Sequence, residues 1–179
     1  MDAMITAVIA FVAAHRDWAF WIALAFALVE NIAVISFIIP STAILIGVGA
    51  LVATGSLDFL PIWAGAAIGA TIGSTLSWWL GVHYGEAMLA KRPLCNYPAL
   101  VARAKATLAA RGPLAIIIGH FIGPLRPFMF LMTGMAKMPF GTFQIYNVIG
   151  SLGWAYAVPK FGEVGGLVFG WLWRLFTGS

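Results

Sequence analysis

The chain has 179 residues, 62% of them hydrophobic and only 9% charged, with a mean hydropathy of +0.97, whereas soluble domains carry roughly 25% charged residues. That balance excludes a soluble enzyme and places the chain in a lipid bilayer, where ~20 residues per spanning helix leave room for about four to six membrane elements in one domain, residues 1–179. The net charge of +4 bears on orientation in the membrane rather than on nucleic acid, and the single Cys95 excludes a disulfide framework and a cysteine-based metal site.

The N-terminal MDAMITAVIAFVAAHRDW lacks the basic start and A-x-A-like site of a cleaved signal, so it reads as a short, partly amphipathic helix of the mature protein. Residues 18–37, WAFWIALAFALVENIAVISF, hold one charge, Glu30, and form the first expected full span. The next stretch, IIPSTAILIGVGALVATG, opens near Pro40 and is laced with glycine. It is short for a span and long enough for a re-entrant hairpin. Residues 59–82 make a second span with Gly65, Gly69 and Gly73 four apart, a spacing that lets another helix approach closely.

Residues 83–112, HYGEAMLAKRPLCNYPALVARAKATLAARG, carry Lys91, Arg92, Arg103, Lys105 and Arg111. They read as a loop at the membrane surface whose second half is an amphipathic helix. The following apolar stretch, GPLAIIIGHFIGPLRPFMFLMTGMAKM, contains His120 and Arg126 and is broken by Gly123, Pro124 and Pro127, which rule out a continuous helix and suggest a second re-entrant hairpin. Residues 140–158 and 161–176 read as two further spans meeting near Pro159 and Gly162.

With both hairpins placed, the two ends and the central loop share one side, and turns at Asp58 and Lys160 lie on the other. Eight of the ten Lys and Arg then fall on the shared side, with Lys160 opposite and Arg126 inside the membrane, so both termini are expected in the cytoplasm. The words FIIP (37–40) and FIGP (121–124) repeat, each followed by a glycine, Gly49 and Gly134. Further on, Phe59 precedes Ile68-Gly69 as Phe140 precedes Ile149-Gly150. One hairpin enters from each side, so the copies are inverted, as in transporters whose broken helices meet at the midplane. The expected fold is an all-α integral membrane protein of polytopic helices with two inverted re-entrant hairpins.

Three side chains stand out chemically. Glu30 in mid-span costs ~2.5–3.5 kcal/mol to insert, and such residues usually face the bundle interior or a wet cavity. Arg126 does not lose its proton and so needs a partner or water. His120 lies six residues before it. Each also has a plainer reading: a protonated or snorkelling Glu30, an Arg126 that only pairs with Glu30, a His120 that only packs. Together they place an anion and a cation across a pseudo-two-fold axis, with unwound backbone at Ser41, Thr42, Gly123 and Pro124 adding polar groups to one cavity. Asn147 joins the candidate binding residues. Such a cavity suits an anionic headgroup.

The succession of Glu30, then IIPS, then a glycine-rich hairpin, and above all the block GHFIGPLRPFMFLMTGMAKMPFGTFQIYNVIGSLGW, resemble the DedA family, also called the VTT or SNARE-associated family, over roughly residues 25–160. The resemblance implies a small inner-membrane protein with paired re-entrant hairpins that translocates lipid, such as undecaprenyl phosphate or phosphatidylethanolamine, at the expense of the proton-motive force. It implies a Glu at the position of Glu30, a second acid where this chain has Thr42, and two Arg six apart where it has His120 and Arg126. Ser74 and Trp78, after Gly73 and before Gly81, stand where the family has Asp and Tyr. One acid and one permanent cation are thus missing together, and His120 brings a group whose unperturbed pKa is ~6.5.

On this reading Arg126 holds a lipid phosphate, Glu30 competes for Arg126 or takes up a proton, and His120 assists one or the other. No cofactor is needed. The partners are a membrane lipid and protons or another coupling ion, with room for a homo-oligomer. A proton-coupled carrier of small ions or solutes is the alternative, built on the same residues without a lateral opening. A lipid phosphate hydrolase would need a second His with its carboxylate and a Ser-Gly-His block, which are absent, so the chain reads as no enzyme.

Overall fold

Alanine and glycine one helical turn apart set the first packing step. In a computed structural model, which describes residues 18–32, 52, 58–90 and 94–177, the helix α1 (Ala19–Glu30) lies along α2 (Phe59–Leu89). Ala19, Ala23 and Ala27 of α1 meet Ile62, Ala66, Ala67 and Ala70 of α2 in one buried cluster. Gly65, Gly69 and Gly73 sit against the carbonyls of Phe20, Leu24 and Leu28, where a Cβ would overlap backbone oxygen. The four-residue glycine spacing therefore brings two backbones together, and small side chains are the reason they can touch.

Further along α2, Gly81 meets the carbonyl of Leu131 and Gly85 meets the Met135 side chain, both on α5 (Arg126–Met135). The helix α6 (Phe140–Thr177) runs antiparallel to α2: Trp78 stacks on Phe143, the Trp63 indole bonds the Leu152 carbonyl at 3.2 Å, and Lys160 Nζ lies 4.8 Å from the Phe59 ring centre. Asp58 and Lys160 are thus at one end of the bundle. The amphipathic helix α3 (Pro98–Arg111) starts at a proline, whose missing N–H costs nothing in a first turn, and ends at Gly112 with φ 53°.

The apolar stretch after α3 is broken as the prolines require. The helix α4 (Leu114–Phe121) stops, Gly123–Leu125 form a 3-10 turn, and α5 starts at Arg126 with Pro127 in its first turn. Met138 N–H then bonds the Thr133 carbonyl at 3.1 Å and Lys137 N–H that of Gly134 at 2.8 Å. Lys137 takes φ 53° there, the left-handed closing position usually given to glycine. Among the described residues all regular structure is helical, and one helix, Phe59–Leu89, is long and apolar enough to cross a membrane. The stretch from Pro40 that reads as the first hairpin lies outside the described residues.

Three expectations are corrected. The first span, read over 18–37 with Glu30 in its middle, is helical from Ala19 to Glu30 and turns at Asn31 and Ile32, so Glu30 stands at a helix end. Residues 83–89, read as loop, continue α2 to Leu89; they hold no proline, and Gly85 packs on α5. At 1.5 Å per residue α2 is about 46 Å long, more than a ~30 Å hydrocarbon core requires. Residues 140–158 and 161–176 are one helix, with Pro159 inside it and no turn between them. Pro159 loses one backbone bond, which membrane helices tolerate where neighbouring groups re-satisfy the freed carbonyl. The reversal that put the C-terminal end beside the central loop is therefore absent.

The α1–α2 seam gives a direct stability test. Gly69→Ala, which drives a methyl into the Leu24 backbone, should destabilise the detergent-solubilised protein by about 1–3 kcal/mol. Ile68→Ala, at an exposed neighbour, should leave the thermal midpoint nearly unchanged. Equal midpoints for both would show that the seam does not hold the fold.

Candidate functional site

The buried polar side chains of this apolar bundle gather largely in one place. Glu30 and Asn31 end α1, Ser74 and Ser77 line α2, His120 ends α4, Arg126 starts α5, and Asn147 and Ser151 lie on α6, all buried. Each helix end has a local cause. The glycine-proline break stops α4 just after His120, and the new helix begins at Arg126, so the turn puts both side chains into the same layer. Ser77 donates to the Asn31 carbonyl at 2.6 Å and satisfies an acceptor that α1 leaves free at its end.

Arg126, 1% exposed, is at the centre. One terminal nitrogen lies 2.9 Å from Glu30 Oε2. The other donates to the His120 carbonyl at 2.8 Å. The guanidinium carbon sits 4.2 Å from the centre of the Trp154 ring, so the cation has a π face on one side and a carboxylate at its tip. Its Nε–H has no hydrogen-bond partner among the described residues.

A second network fixes His120. Asn147 Nδ2 donates to the Thr71 carbonyl at 3.2 Å and to Gln144 Oε1 at 2.8 Å. A backbone carbonyl only accepts, so the amide nitrogen must face it and Oδ1 must face the histidine. His120 Nε2, 3.1 Å from Asn147 Oδ1, is therefore the ring nitrogen that carries hydrogen. Ser74 Oγ lies 2.6 Å from the same Oδ1 and 2.6 Å from the Ala70 carbonyl, and its single proton serves one of them at a time. Gly150 makes room for the imidazole, since a Cβ there would meet the ring edge. An amide oxygen accepts a hydrogen bond but does not take up the proton, so His120 does not pass protons to Asn147; its other nitrogen, Nδ1, is buried with no partner among the described residues.

Asn31 Oδ1, Trp78 Nε1 and Ser151 Oγ are buried and without partners among the described residues as well. Ser151 lies on the same face of α6 as Asn147 and Trp154, at helical spacing between the residue that holds His120 and the one beneath Arg126. Among the described residues, donors (Arg126 Nε, Trp78 Nε1) and acceptors (His120 Nδ1, Asn31 Oδ1) are thus left without partners, where buried polar groups are ordinarily paired. The arrangement can take a small polar group that both accepts and donates. Among the described residues no three His, Cys, Asp or Glu gather to hold a metal.

The residues singled out from sequence fall as follows. Glu30, His120, Arg126 and Asn147 are in this cluster; Gly123 and Pro124 form the turn above it, and Pro127 is buried in the first turn of α5. Pro40, Ser41 and Thr42 lie outside the described residues. Sequence reading missed Asn31, Thr71, Thr75, Ser77, Gln144 and Ser151 as members of the site. The available signal was their spacing: Thr71, Ser74, Thr75 and Ser77 on one helix, Gln144, Asn147 and Ser151 on another, three or four apart.

The model of the VTT domain matches residues 39–164. The chain is 31% identical to the inner membrane protein YabI of Escherichia coli K12 over 144 residues, 80% of this chain and 55% of YabI. It is 34% identical to the inner membrane protein YghB of the same organism over 125 residues, 69% of this chain and 57% of YghB. The uncharacterized membrane protein slr0232 of Synechocystis is 31% identical over 119 residues. The chain spans about half the length of these curated relatives. No solved structure matches it.

Removing one member of a buried ion pair leaves the other charge unpaired, typically at a cost of about 3–5 kcal/mol, while removing both is far milder. Arg126→Ala should therefore lower the thermal midpoint in detergent sharply, and the double variant Glu30→Gln with Arg126→Ala should recover a large part of the loss. A double variant no more stable than Arg126→Ala would mean that the contact is not a coupled pair.

Proposed function

The chain belongs to the VTT domain family, the DedA family of membrane proteins, and from that premise we propose that it moves an anionic lipid headgroup, of a polyprenyl phosphate or a phospholipid, between the leaflets of a bacterial inner membrane. The observation that carries the proposal is the buried Arg126, which among the described residues meets one carboxylate and leaves its Nε–H without a partner. A phosphate takes a guanidinium through two parallel N–H bonds, so it competes with Glu30 on better terms than a lone carboxylate oxygen does. The acyl or prenyl tails stay in hydrocarbon while the headgroup occupies the cluster.

Displacement of Glu30 is what couples lipid to protons. Phosphate arrival at Arg126 releases the Glu30 carboxylate from its cation, and in this reading a proton takes the place of that cation. His120 supports the site by holding Arg126 through its carbonyl rather than by shuttling protons. In this reading the break at 122–125 is the tip of one re-entrant hairpin and the Pro40 stretch is its inverted counterpart. The chain performs transport and no covalent chemistry. The relatives are named inner membrane proteins, and the basic α3 side, with Lys105 and Arg111, is the cytoplasmic one.

Liposomes containing the purified protein and a panel of labelled lipids test the reading. The wild type should carry a phosphate-bearing lipid across, Arg126→Ala should not, and Arg126→Lys should be poor because an ammonium does not reproduce the fork. Undiminished lipid flux in Arg126→Ala, or flux of small ions without lipid, would overturn it. In whole cells on a Cys95→Ser background, Asp58→Cys should react with an impermeant reagent from outside and Lys105→Cys should not.

A further inference from the structure

The ion pair is deep in the bundle, yet a lipid headgroup must reach it while its tails remain in the bilayer. One continuous line of polar groups, the last of them the His120 backbone carbonyl, connects Arg126 to the half-buried seam between α2 and α6. It starts between α2 and α6 with half-buried Thr71, Thr75 and Gln144. Gln144 Oε1 bonds Asn147 Nδ2 at 2.8 Å, Asn147 Oδ1 bonds His120 Nε2 at 3.1 Å, and the His120 carbonyl bonds Arg126 at 2.8 Å. Thr75 Oγ1 closes the outer end, 3.1 Å from Gln144 Oε1 and 3.3 Å from Asn147 Nδ2. The rim outside this line is apolar and exposed: Ile72 and Leu76 on α2, Ile145 and Val148 on α6.

We infer that this ladder between α2 and α6 is the lateral port through which a phosphate-bearing headgroup enters from the bilayer on its way to Arg126. The inference rests on the transport reading above and adds the residues of the route. In the closed state the ladder's side chains bond one another and the Thr71 carbonyl, which holds α2 and α6 together along this seam. Hydrogen bonds between membrane helices are individually weak because the separated groups find other partners, and a headgroup supplies such partners. Parting Thr75 from Gln144 exposes donors and acceptors in sequence: the two hydroxyls, the Gln144 and Asn147 amides, then Ser74. At the inner end lie His120 Nδ1 and Ser151 Oγ, without partners among the described residues. The alternative role, static glue between two helices, needs neither the half-buried position at the lipid rim nor the open polar atoms at the inner end.

Two measurements on the full chain with Cys95 changed to Ser decide the matter. In the first, single cysteines at Thr75, Gln144 and Ile145 are treated, in protein-containing liposomes, with a small charged thiol reagent. A port admits the reagent, so Thr75→Cys and Gln144→Cys should react at least ~10-fold faster than Ile145→Cys, although Ile145 is 62% exposed and faces hydrocarbon, where a charged reagent is scarce. Equal or reversed rates would overturn the port. In the second, the Thr75→Cys, Gln144→Cys pair is bridged by a short cleavable bis-thiol reagent. Lipid flux of the bridged double variant should fall at least ~10-fold below that of the same protein before bridging and return on cleavage; unchanged flux after bridging would overturn the port as the headgroup route. Thiol rates do not depend on transport, so a parent that moves no lipid but shows fast reaction at Thr75 and Gln144 would defeat the transport reading and leave a polar port of other use, whereas slow reaction in a lipid-moving parent would defeat the port alone.

Discussion

A guanidinium that cannot discharge, 1% exposed in an apolar bundle, constrains everything around it. Arg126 requires an anion, and Glu30 supplies it at 2.9 Å; it requires acceptors, and the His120 carbonyl, freed by the end of α4, is one; it requires a tolerant wall, and the Trp154 face provides it. A pair of this kind contributes little net stability compared with apolar packing and becomes expensive once one partner leaves.

The packing of the helices serves that pair. Gly65, Gly69 and Gly73 press α1 onto α2, which holds the end of α1, and therefore Glu30, at a fixed depth. Gly81 does the same for α5 from the other end of α2, which fixes Arg126. Close backbone contact leaves little slack, so the distance between carboxylate and guanidinium is set by two glycine seams on one helix. The third wall, α6, contacts α2 through Ser74, Thr75, Gln144 and Asn147 as well as aromatic rings. Glycine contact holds α1 and α5 against α2, and polar and aromatic contact holds α6 there.

Much of this was legible in the sequence. Four-residue glycine spacing announced the α1–α2 approach, because only backbone proximity makes use of a missing Cβ. Gly123, Pro124 and Pro127 announced the break between α4 and α5, since a proline removes a donor and clashes with the preceding turn. Glu30 and Arg126 stood out because ions are costly in hydrocarbon. Other features were not legible for equally physical reasons. The turns at 83–89 are helical because α5 packs on Gly85, whereas the local composition resembles a surface loop. Pro159 suggested a turn, and tertiary packing overrode it. The Ser, Thr, Asn and Gln ladder is assembled from helices some seventy residues apart, such as Ser74 with Asn147, and each residue alone is an ordinary helix surface residue. Ser41 and Thr42, with the rest of the Pro40 stretch, lie outside the described residues.

The central claim is that Glu30 is a switchable partner of Arg126 and not a fixed strut. The most direct measurement is lipid flux in liposomes, from mildly acidic to mildly alkaline pH, for the wild type and Glu30→Gln, whose amide keeps the shape and cannot ionise. The account requires the wild-type rate to change with pH and the Glu30→Gln protein to retain lipid binding while losing that pH dependence and most of its rate. The same rate and pH profile in both proteins would contradict it and leave Glu30 a structural counter-ion.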